Sequence, residues 1–257
     1  MLEKLFDLTG RVALITGGTK GIGKAVARTF AEAGADIAIC ARHADELKQA
    51  AAEIGAGIER RVETCVVDMS QRGDPQRLAE WAIKSLGKVD ILINNAGSNK
   101  PQNLVDITDD AWDQIIELNL TSCMALGRAV APGMIARRWG RIIHLSSVMA
   151  LASNPGRGCY SATKAALIGM TRAHALELGP HGITVNCLAP GPIATDLPMS
   201  ILSDAQKKKF AELTAVKRWG DVRDIVGPML MLASDAGAFV TGTVIGVDGG
   251  MLCRTFD

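Results

Sequence analysis

Tyr160 and Lys164 are the residues whose types and spacing first suggest chemistry, and Tyr160 is the only tyrosine in the sequence. If this segment is helical, residues four positions apart lie on one face, so the lysine ammonium can approach the phenol. A free phenol has a pKa near ~10, and a neighbouring cation lowers that pKa. A proton donor works best when its pKa lies near the working pH. The pair is therefore a candidate general acid, although the same spacing also occurs in ordinary exposed helix pairs.

A second candidate site is the glycine-rich turn that follows the apolar run Val12–Thr16. The turn contains Gly17, Gly21 and Gly23, and residues 24–33 then have the pattern of a helix. A strand, a glycine turn and a helix N-terminus together form an anion site, because unpaired amides and the positive end of the helix dipole point to one place. The expected guest is a diphosphate, and a simple tight turn is the alternative.

The residue after the second apolar run indicates which cofactor could bind there. In a dinucleotide-binding unit, an acid about 20 residues past the glycines bonds the adenosine ribose hydroxyls. Here the run Asp36–Ala41 is followed by Arg42, and Lys20 lies in the glycine turn. A planar guanidinium binds a 2′-phosphate through paired hydrogen bonds, and a lysine adds a second positive charge. These two residues favour NADP over NAD, unless both are ordinary solvated cations.

Apolar strands and helical patterns alternate along most of the chain. This alternation implies parallel β-α-β units, right-handed crossovers and one open sheet with helices on both faces. Ligands of such folds bind at the carboxyl ends of the strands. The strands are predicted at 62–67, 89–93, 141–145, 184–188 and 243–247, and the helices at 45–54, 76–86, 111–137, from 160 onward and at 222–233.

Polar residues stand at several of these predicted strand ends. Asp68 follows one strand, the turn 94–97 follows the next, and Ser146 and Ser147 follow a third. Asparagine is unfavourable inside a helix because its side chain competes for backbone hydrogen bonds, so Asn119 within 111–137 is either exposed or has a purpose. On this chemistry alone, Ser146 and Ser147 are both candidates to bind a substrate oxygen.

Composition narrows the class of protein. The chain has 257 residues, of which 48% are hydrophobic and 21% charged, and its net charge is +1. This balance predicts a compact globular protein without a nucleic-acid partner. We expect no membrane partner and a cytoplasmic location, because there is no signal-peptide core and no apolar run of about 18 residues. The six cysteines are expected to be buried free thiols, and no metal is predicted because no metal-ligand spacing occurs.

Taken in order, these motifs resemble the short-chain dehydrogenase/reductase family over about residues 8–250. The resemblance implies one doubly wound, Rossmann-like α/β domain spanning 1–257, with a seven-stranded parallel sheet and commonly a homotetrameric assembly. The segment of about 191–219 breaks the strand-helix rhythm and is predicted to form a substrate lid, with a capping box at 203–206. The matching positions are Thr16, Gly17, Gly21 to Gly23, Asn94 to Gly97, Asn119, Ser147, Tyr160, Lys164, Asn186, Pro190, Gly191 and Thr195.

The resemblance also implies roles for individual residues. Tyr160 would be the acid/base, Lys164 would lower its pKa and hold the nicotinamide ribose, and Asn119 would hold a proton-relay water. The family spacing of thirteen residues before Tyr160 selects Ser147 as the donor to the substrate oxygen. The cofactor set implied is Gly17, Thr19, Lys20, Gly21, Ile22, Gly23, Arg42, Asp68, Met69, Asn95, Ala96, Gly97, Tyr160, Lys164, Pro190, Gly191, Ile193 and Thr195. The predicted substrate contacts are Ser147, Met149, Asn154, Tyr160, Leu197 and Met199.

The function expected from these residues is hydride transfer between NADP(H) and a carbonyl or secondary alcohol, with a small molecule as the partner. During reduction, negative charge grows on the substrate oxygen, and a hydroxyl donor and a protonated phenol would stabilise it. A 3-oxoacyl group or a similar ketone is the first expectation for the substrate. The alternatives are a sugar-acid dehydrogenase of the gluconate 5-dehydrogenase type and a non-catalytic NADP-binding regulatory protein.

Overall fold

The computed structural model describes residues 2–253, except for the side chains of Leu197 and Ile201. Its centre is one parallel sheet of seven strands in the order β3-β2-β1-β4-β5-β6-β7. The doubly wound architecture predicted from the alternation is therefore confirmed. The strands are β1 (Val12–Thr16), β2 (Asp36–Ala41), β3 (Val62–Val66), β4 (Ile91–Asn94), β5 (Gly140–Leu145), β6 (Ile183–Pro190) and β7 (Val244–Val247).

Helices connect the strands and cover both faces of the sheet. Within residues 2–253 they are α1 (Leu2–Phe6), α2 (Gly21–Glu32), α3 (Ala44–Gly55), α4 (Asp74–Leu86), α5 (Asp109–Ile116), α6 (Ser122–Arg137), α7 (Gly158–Leu178), α8 (Asp196–Ile201), α9 (Asp204–Leu213) and α10 (Val222–Ala233).

The central strands are buried on both sides, which explains why they appear in the sequence as continuous apolar runs. Ala13 and Ile15 pack on one face in a cluster with α2, α3 and α10. Val12 and Leu14 point to the opposite face and pack in a cluster with α4 and α6. This double burial holds the ends of β1, β4, β5 and β6 in fixed positions along one edge of the sheet.

Two sequence predictions differ from the structure. Residues 111–137 do not form one helix, since a π-helical turn, Glu117–Thr121, separates α5 from α6.

The third strand is an outer strand of the sheet, so it is only partly covered, and Val66 is exposed there. Cys65 on this strand is half-buried and Cys253 is exposed, whereas the other four cysteines are buried free thiols. The expectation of buried thiols is therefore wrong for these two residues.

The segment 191–219 between β6 and α10 carries α8 and α9. The predicted capping box at the start of α9 is present, because the Ser203 hydroxyl accepts from the Gln206 amide and the Gln206 side chain accepts from the Ser203 amide. The function of the segment as a lid stays a prediction. Across residues 2–253, every helix is too short or too polar to cross a membrane.

Candidate active site

The glycine turn after β1 is shaped for close approach of a ligand to the backbone. Gly17 and Gly21 have positive φ angles of 66° and 55°, a region that favours glycine. A side chain at Gly23 would overlap the Gly17 carbonyl oxygen and lie 2.6 Å from the Asn95 amide nitrogen. Gly23 therefore supports the turn from behind, and a larger residue at that position would push the turn out of place.

The turn after β4 is fastened to the turn after β1. The Thr16 hydroxyl accepts from the backbone amides of Asn95 and Ala96, at 3.0 and 2.9 Å. In return, the Asn95 side-chain amide donates to the carbonyls of Thr16 and Gly17, at 2.7 and 3.1 Å. Two loops far apart in sequence thus form one wall at the carboxyl edge of the sheet.

A cavity of about 620 Å³ opens along this wall. It brings together most of the residues that the sequence predicted for the cofactor. Those lining it are Gly17, Thr19, Lys20, Gly21, Ile22, Arg42, Asp68, Met69, Asn95, Ala96, Gly97 and Thr195.

The other predicted cofactor residues lie outside the lining of this cavity. Gly23 is behind the turn, and Pro190 ends β6. A side chain at Gly191 would come within 2.7 Å of the Asp248 Cα atom, so Gly191 permits close backbone packing. Ile193 is buried and lines a separate cavity of about 350 Å³. Their contact with a cofactor stays a prediction.

Sequence reasoning missed several residues that line the larger cavity. Glu46 is one of them. Acidic residues are common in the first turn of a helix, where they interact with the helix dipole, so no feature of the sequence assigns Glu46 to the cavity. The others come from strand ends, loops, the face of α5, the π-helical turn and the start of α8, so only the folded chain brings them together. They are Cys40, Ala41, His43, Val67, Ser70, Ser98, Lys100, Gln114, Ile115, Leu118 and Asp196.

Lys164 is buried at the end of β5, beside Tyr160. Its side chain is 4% exposed, and the ammonium donates to the Leu145 carbonyl at 2.7 Å. The same ammonium lies 5.6 Å from the centre of the Tyr160 ring. The Ser146 hydroxyl donates to the Lys164 carbonyl at 2.9 Å, so β5 and α7 are bonded in both directions at this point. Among the described residues, no carboxylate forms an ion pair with Lys164, and its positive charge faces Tyr160.

Asn119 connects this pair to the wall of the large cavity, and it is fully buried in the π-helical turn. Its side-chain amide donates to the Ser98 carbonyl at 2.9 Å and to the Thr163 hydroxyl at 3.2 Å, and its oxygen accepts from the Ser98 amide at 2.9 Å. The Thr163 hydroxyl donates to the Tyr160 carbonyl at 2.8 Å. Thr163, which the sequence did not single out, therefore links Asn119 to the backbone of Tyr160.

Gly97 stands where these groups converge. A Cβ atom placed on it would lie 3.2 Å from the Asn119 side-chain oxygen and 3.4 Å from the Lys164 ammonium. The glycine therefore lets the turn after β4 approach both side chains. Asn119, Lys164 and the lining of the large cavity meet at this residue.

The two serines after β5 have different partners. The Ser146 hydroxyl is buried and donates its proton to the Lys164 carbonyl of α7. The Ser147 hydroxyl accepts from the Met149 amide at 3.1 Å, and this bond does not use the hydroxyl proton. The geometry thus leaves the Ser147 hydroxyl proton available for a ligand, and its role as donor to a substrate oxygen stays a prediction.

The predicted substrate contacts beyond Ser147 and Tyr160 are less tightly held. Asn154 is exposed, and its amide nitrogen lies 3.9 Å from the Met149 sulfur. Met199 is half-buried on α8. The side chain of Leu197 is outside the described residues.

Beneath the site, His144 on β5 is buried and its ring Nδ1 lies 3.0 Å from the Asn94 side-chain amide. Burial, together with the nearby charges of His174 and Lys164, lowers the pKa of His144 from 6.5 to about 3. The imidazole is therefore neutral at physiological pH. Among the described residues, no group of three or more His, Cys, Asp or Glu side chains is arranged to hold a metal ion.

Comparison with known proteins gives consistent matches over nearly the whole chain. A family model described as enoyl-(acyl carrier protein) reductase matches residues 17–252. The 3-oxoacyl-[acyl-carrier-protein] reductase FabG of Thermotoga maritima is 35% identical over 245 residues, covering 95% of this chain and 99% of that protein.

Solved structures agree with these sequence matches. A short-chain type dehydrogenase/reductase from Mycobacterium marinum has a TM-score of 0.91 and 35% identity, covering 99% of this chain and 100% of the other. A structure from Beutenbergia cavernae, described as an NAD(P)-dependent gluconate 5-dehydrogenase with NADP bound at low occupancy, has a TM-score of 0.92 and 33% identity. That match covers 97% of this chain and 100% of the other.

Proposed function

Since the chain belongs to the short-chain dehydrogenase/reductase family of oxidoreductases, we propose that it transfers a hydride between NADP(H) and a carbonyl or secondary-alcohol substrate. The observation that carries this proposal is the convergence of Asn119, Lys164 and the cavity lining at Gly97. It supports a proton donor beside a dinucleotide site. A protein that only bound the dinucleotide would not need a buried ammonium next to a phenol.

The cavity fits a phosphorylated dinucleotide. Positive-φ glycines at Gly17 and Gly21 open the backbone at the start of α2, where the helix dipole favours a diphosphate. Arg42 after β2 and Lys20 in the glycine turn are both exposed and line this cavity, and no described residue forms an ion pair with either. Two such charges would hold a 2′-phosphate. When bound, the nicotinamide supplies or accepts the hydride.

The protein residues supply the proton and the electrostatic stabilisation. In reduction, the Tyr160 hydroxyl gives its proton to the substrate oxygen, and the Lys164 ammonium lies 5.6 Å from the centre of the ring that gives up this proton. The Ser147 hydroxyl donates a hydrogen bond to the same oxygen, where negative charge grows. Asn119 holds the loop of Gly97 and Ser98 against α7 through its three side-chain bonds. In oxidation, Tyr160 takes the proton instead.

The substrate we propose first is a 3-oxoacyl group or a similar ketone. The relative from Thermotoga maritima is a 3-oxoacyl-[acyl-carrier-protein] reductase by name, and it aligns with this chain over nearly its whole length. A sugar acid is the second candidate, favoured by the resemblance to the gluconate 5-dehydrogenase structure. The homotetramer, the cytoplasmic location and the lid at about 191–219 remain predictions.

The test is NADPH consumption with 3-oxoacyl thioesters, keto sugar acids and ring ketones, measured for the wild type and for Tyr160→Phe. We expect the variant to lose activity by roughly 10²- to 10⁴-fold, the size of a general acid contribution, while it still binds NADPH. Ser161→Ala is the matched control, since Ser161 is half-buried on α7 and its hydroxyl bonds the Ser153 hydroxyl. Turnover by Tyr160→Phe at the wild-type rate would contradict the mechanism, and no turnover of any substrate by the wild type would favour the regulatory alternative.

A further inference from the structure

Glu46 lines the cavity together with Arg42, which follows β2, and Lys20, which lies in the glycine turn. It lies in the first turn of α3, and its carboxylate is 3.5 Å from the Thr19 hydroxyl, a longer contact than an ordinary O–H···O hydrogen bond. Thr19 directly precedes Lys20 in the glycine turn. Arg42, Lys20 and Glu46 all line the same cavity. The wall that would receive a 2′-phosphate therefore contains the negative charge of Glu46 as well as the positive charges of Arg42 and Lys20.

The position of Glu46 is set by a helix that is firmly packed. Leu47, Ala50 and Ile54 of α3 are buried against the sheet, at intervals that place them on one face. The other end of the helix is joined to α2 by an ion pair between Lys24 and Glu53, at 2.7 Å. The backbone of Glu46 is thus held beside the cavity by the packing of α3, while its exposed side chain reaches toward Thr19.

The charge of Glu46 acts differently on the two cofactors. A 2′-phosphate carries negative charge and would be repelled by a carboxylate on the same wall, whereas the neutral ribose hydroxyl of NAD would not. The Glu46 carboxylate lies 3.5 Å from the hydroxyl of Thr19, the residue before Lys20, and charges in water act on each other over a Debye length of about 8 Å at physiological salt. The attraction of Arg42 and Lys20 is therefore partly offset.

We propose that Glu46 is a second determinant of cofactor selectivity, which opposes Arg42 and keeps the preference for NADP over NAD smaller than the two cations alone would make it. This inference rests on the proposed function, because it concerns the same dinucleotide site. It adds a residue from α3 to a selectivity that the sequence assigned only to the end of β2 and the glycine turn.

The experiment measures the dissociation constants of NADP⁺ and NAD⁺ by titration calorimetry on the full chain, without substrate. In Glu46→Gln at low salt, the dissociation constant of NAD⁺ divided by that of NADP⁺ is expected to rise about three- to tenfold, mainly because NADP⁺ binds more tightly. In high salt this rise should be smaller, because the charges are screened. Glu46→Lys should raise the ratio further. Arg42→Ala should lower it.

Asp45→Asn is the matched control. Asp45 is exposed in the same helical turn but is not among the described residues that line the cavity, so this variant removes the same charge from the helix N-terminus. An equal change of the ratio in Asp45→Asn, or an unchanged ratio in both Glu46 variants, would overturn the proposal. If the wild type binds NAD⁺ more tightly than NADP⁺, the assignment of NADP as the cofactor is overturned. The change of the ratio in the Glu46 variants still tests the role of Glu46 in that case.

Discussion

Replacing Asn119 by alanine tests how the active-site framework is held. The side chain is fully buried and makes three hydrogen bonds, two with the backbone of Ser98 and one with the Thr163 hydroxyl. Its removal disconnects the loop after β4 from α7. The substitution therefore affects both the stability of the domain and the placement of Tyr160.

The expected loss of stability follows from these bonds. Each hydrogen bond contributes about 1 kcal/mol net, and a buried group left without its partner costs more. Ser98 is exposed, so water can replace part of what it loses, whereas Thr163 is fully buried and water cannot reach it. The space left by the amide adds a packing loss. We expect Asn119→Ala to lower the free energy of unfolding by about 3 kcal/mol.

Urea unfolding at matched protein concentration measures this change, because the stability of an oligomer depends on its concentration. Asn154→Ala is the control, since Asn154 is exposed and its amide has only the 3.9 Å contact with the Met149 sulfur. The control should lose less than about 0.5 kcal/mol. A loss below about 1 kcal/mol in Asn119→Ala, or one equal to the control, would refute the idea that these three bonds fasten the loop to α7.

Two further predictions concern the glycine turn and the buried histidine. Gly23→Ala should weaken cofactor binding at least about tenfold in calorimetry, because the new Cβ would overlap the Gly17 carbonyl; Gly73→Ala, where a Cβ meets nothing within 4 Å, should bind normally. The pKa of His144 is lowered from 6.5 to about 3 in the folded protein. Between these two pH values the imidazole is protonated in the unfolded chain but not in the folded one, so the free energy of unfolding falls as the pH falls from 6.5 toward 3. The loss is about 1.4 kcal/mol per pH unit, and the pH dependence of urea unfolding should be shallower in His144→Asn; identical slopes would contradict it.

The sequence predicted the central strands well because burial on both faces leaves a clear apolar run. The bounds of β1, β2 and α10 match the predicted ranges. It failed for 111–137, because the π-helical turn depends on where Asn119 finds its partners. Ser98 and Thr163 lie in other elements, so no local pattern in the sequence could indicate that interruption.

The candidate site divides in the same way. Glycines, Arg42 and the Tyr160–Lys164 spacing are local signals, and the structure brings most of them to one cavity or to its edge. Glu46 and Thr163 were missed because an acid early in a helix and a threonine inside one have ordinary explanations. Their relation to the site appears only when α3 and α7 are packed against the sheet.

The paired bonds between β5 and α7 affect how such a protein can change during evolution. Lys164 and Ser146 fasten the helix to the strand using atoms of those two elements alone. The segment 191–219 contributes nothing to this fastening. Substitutions in the lid proposed for that segment are therefore expected to leave the proposed proton donor in place, so that new substrate preferences could arise without first displacing it.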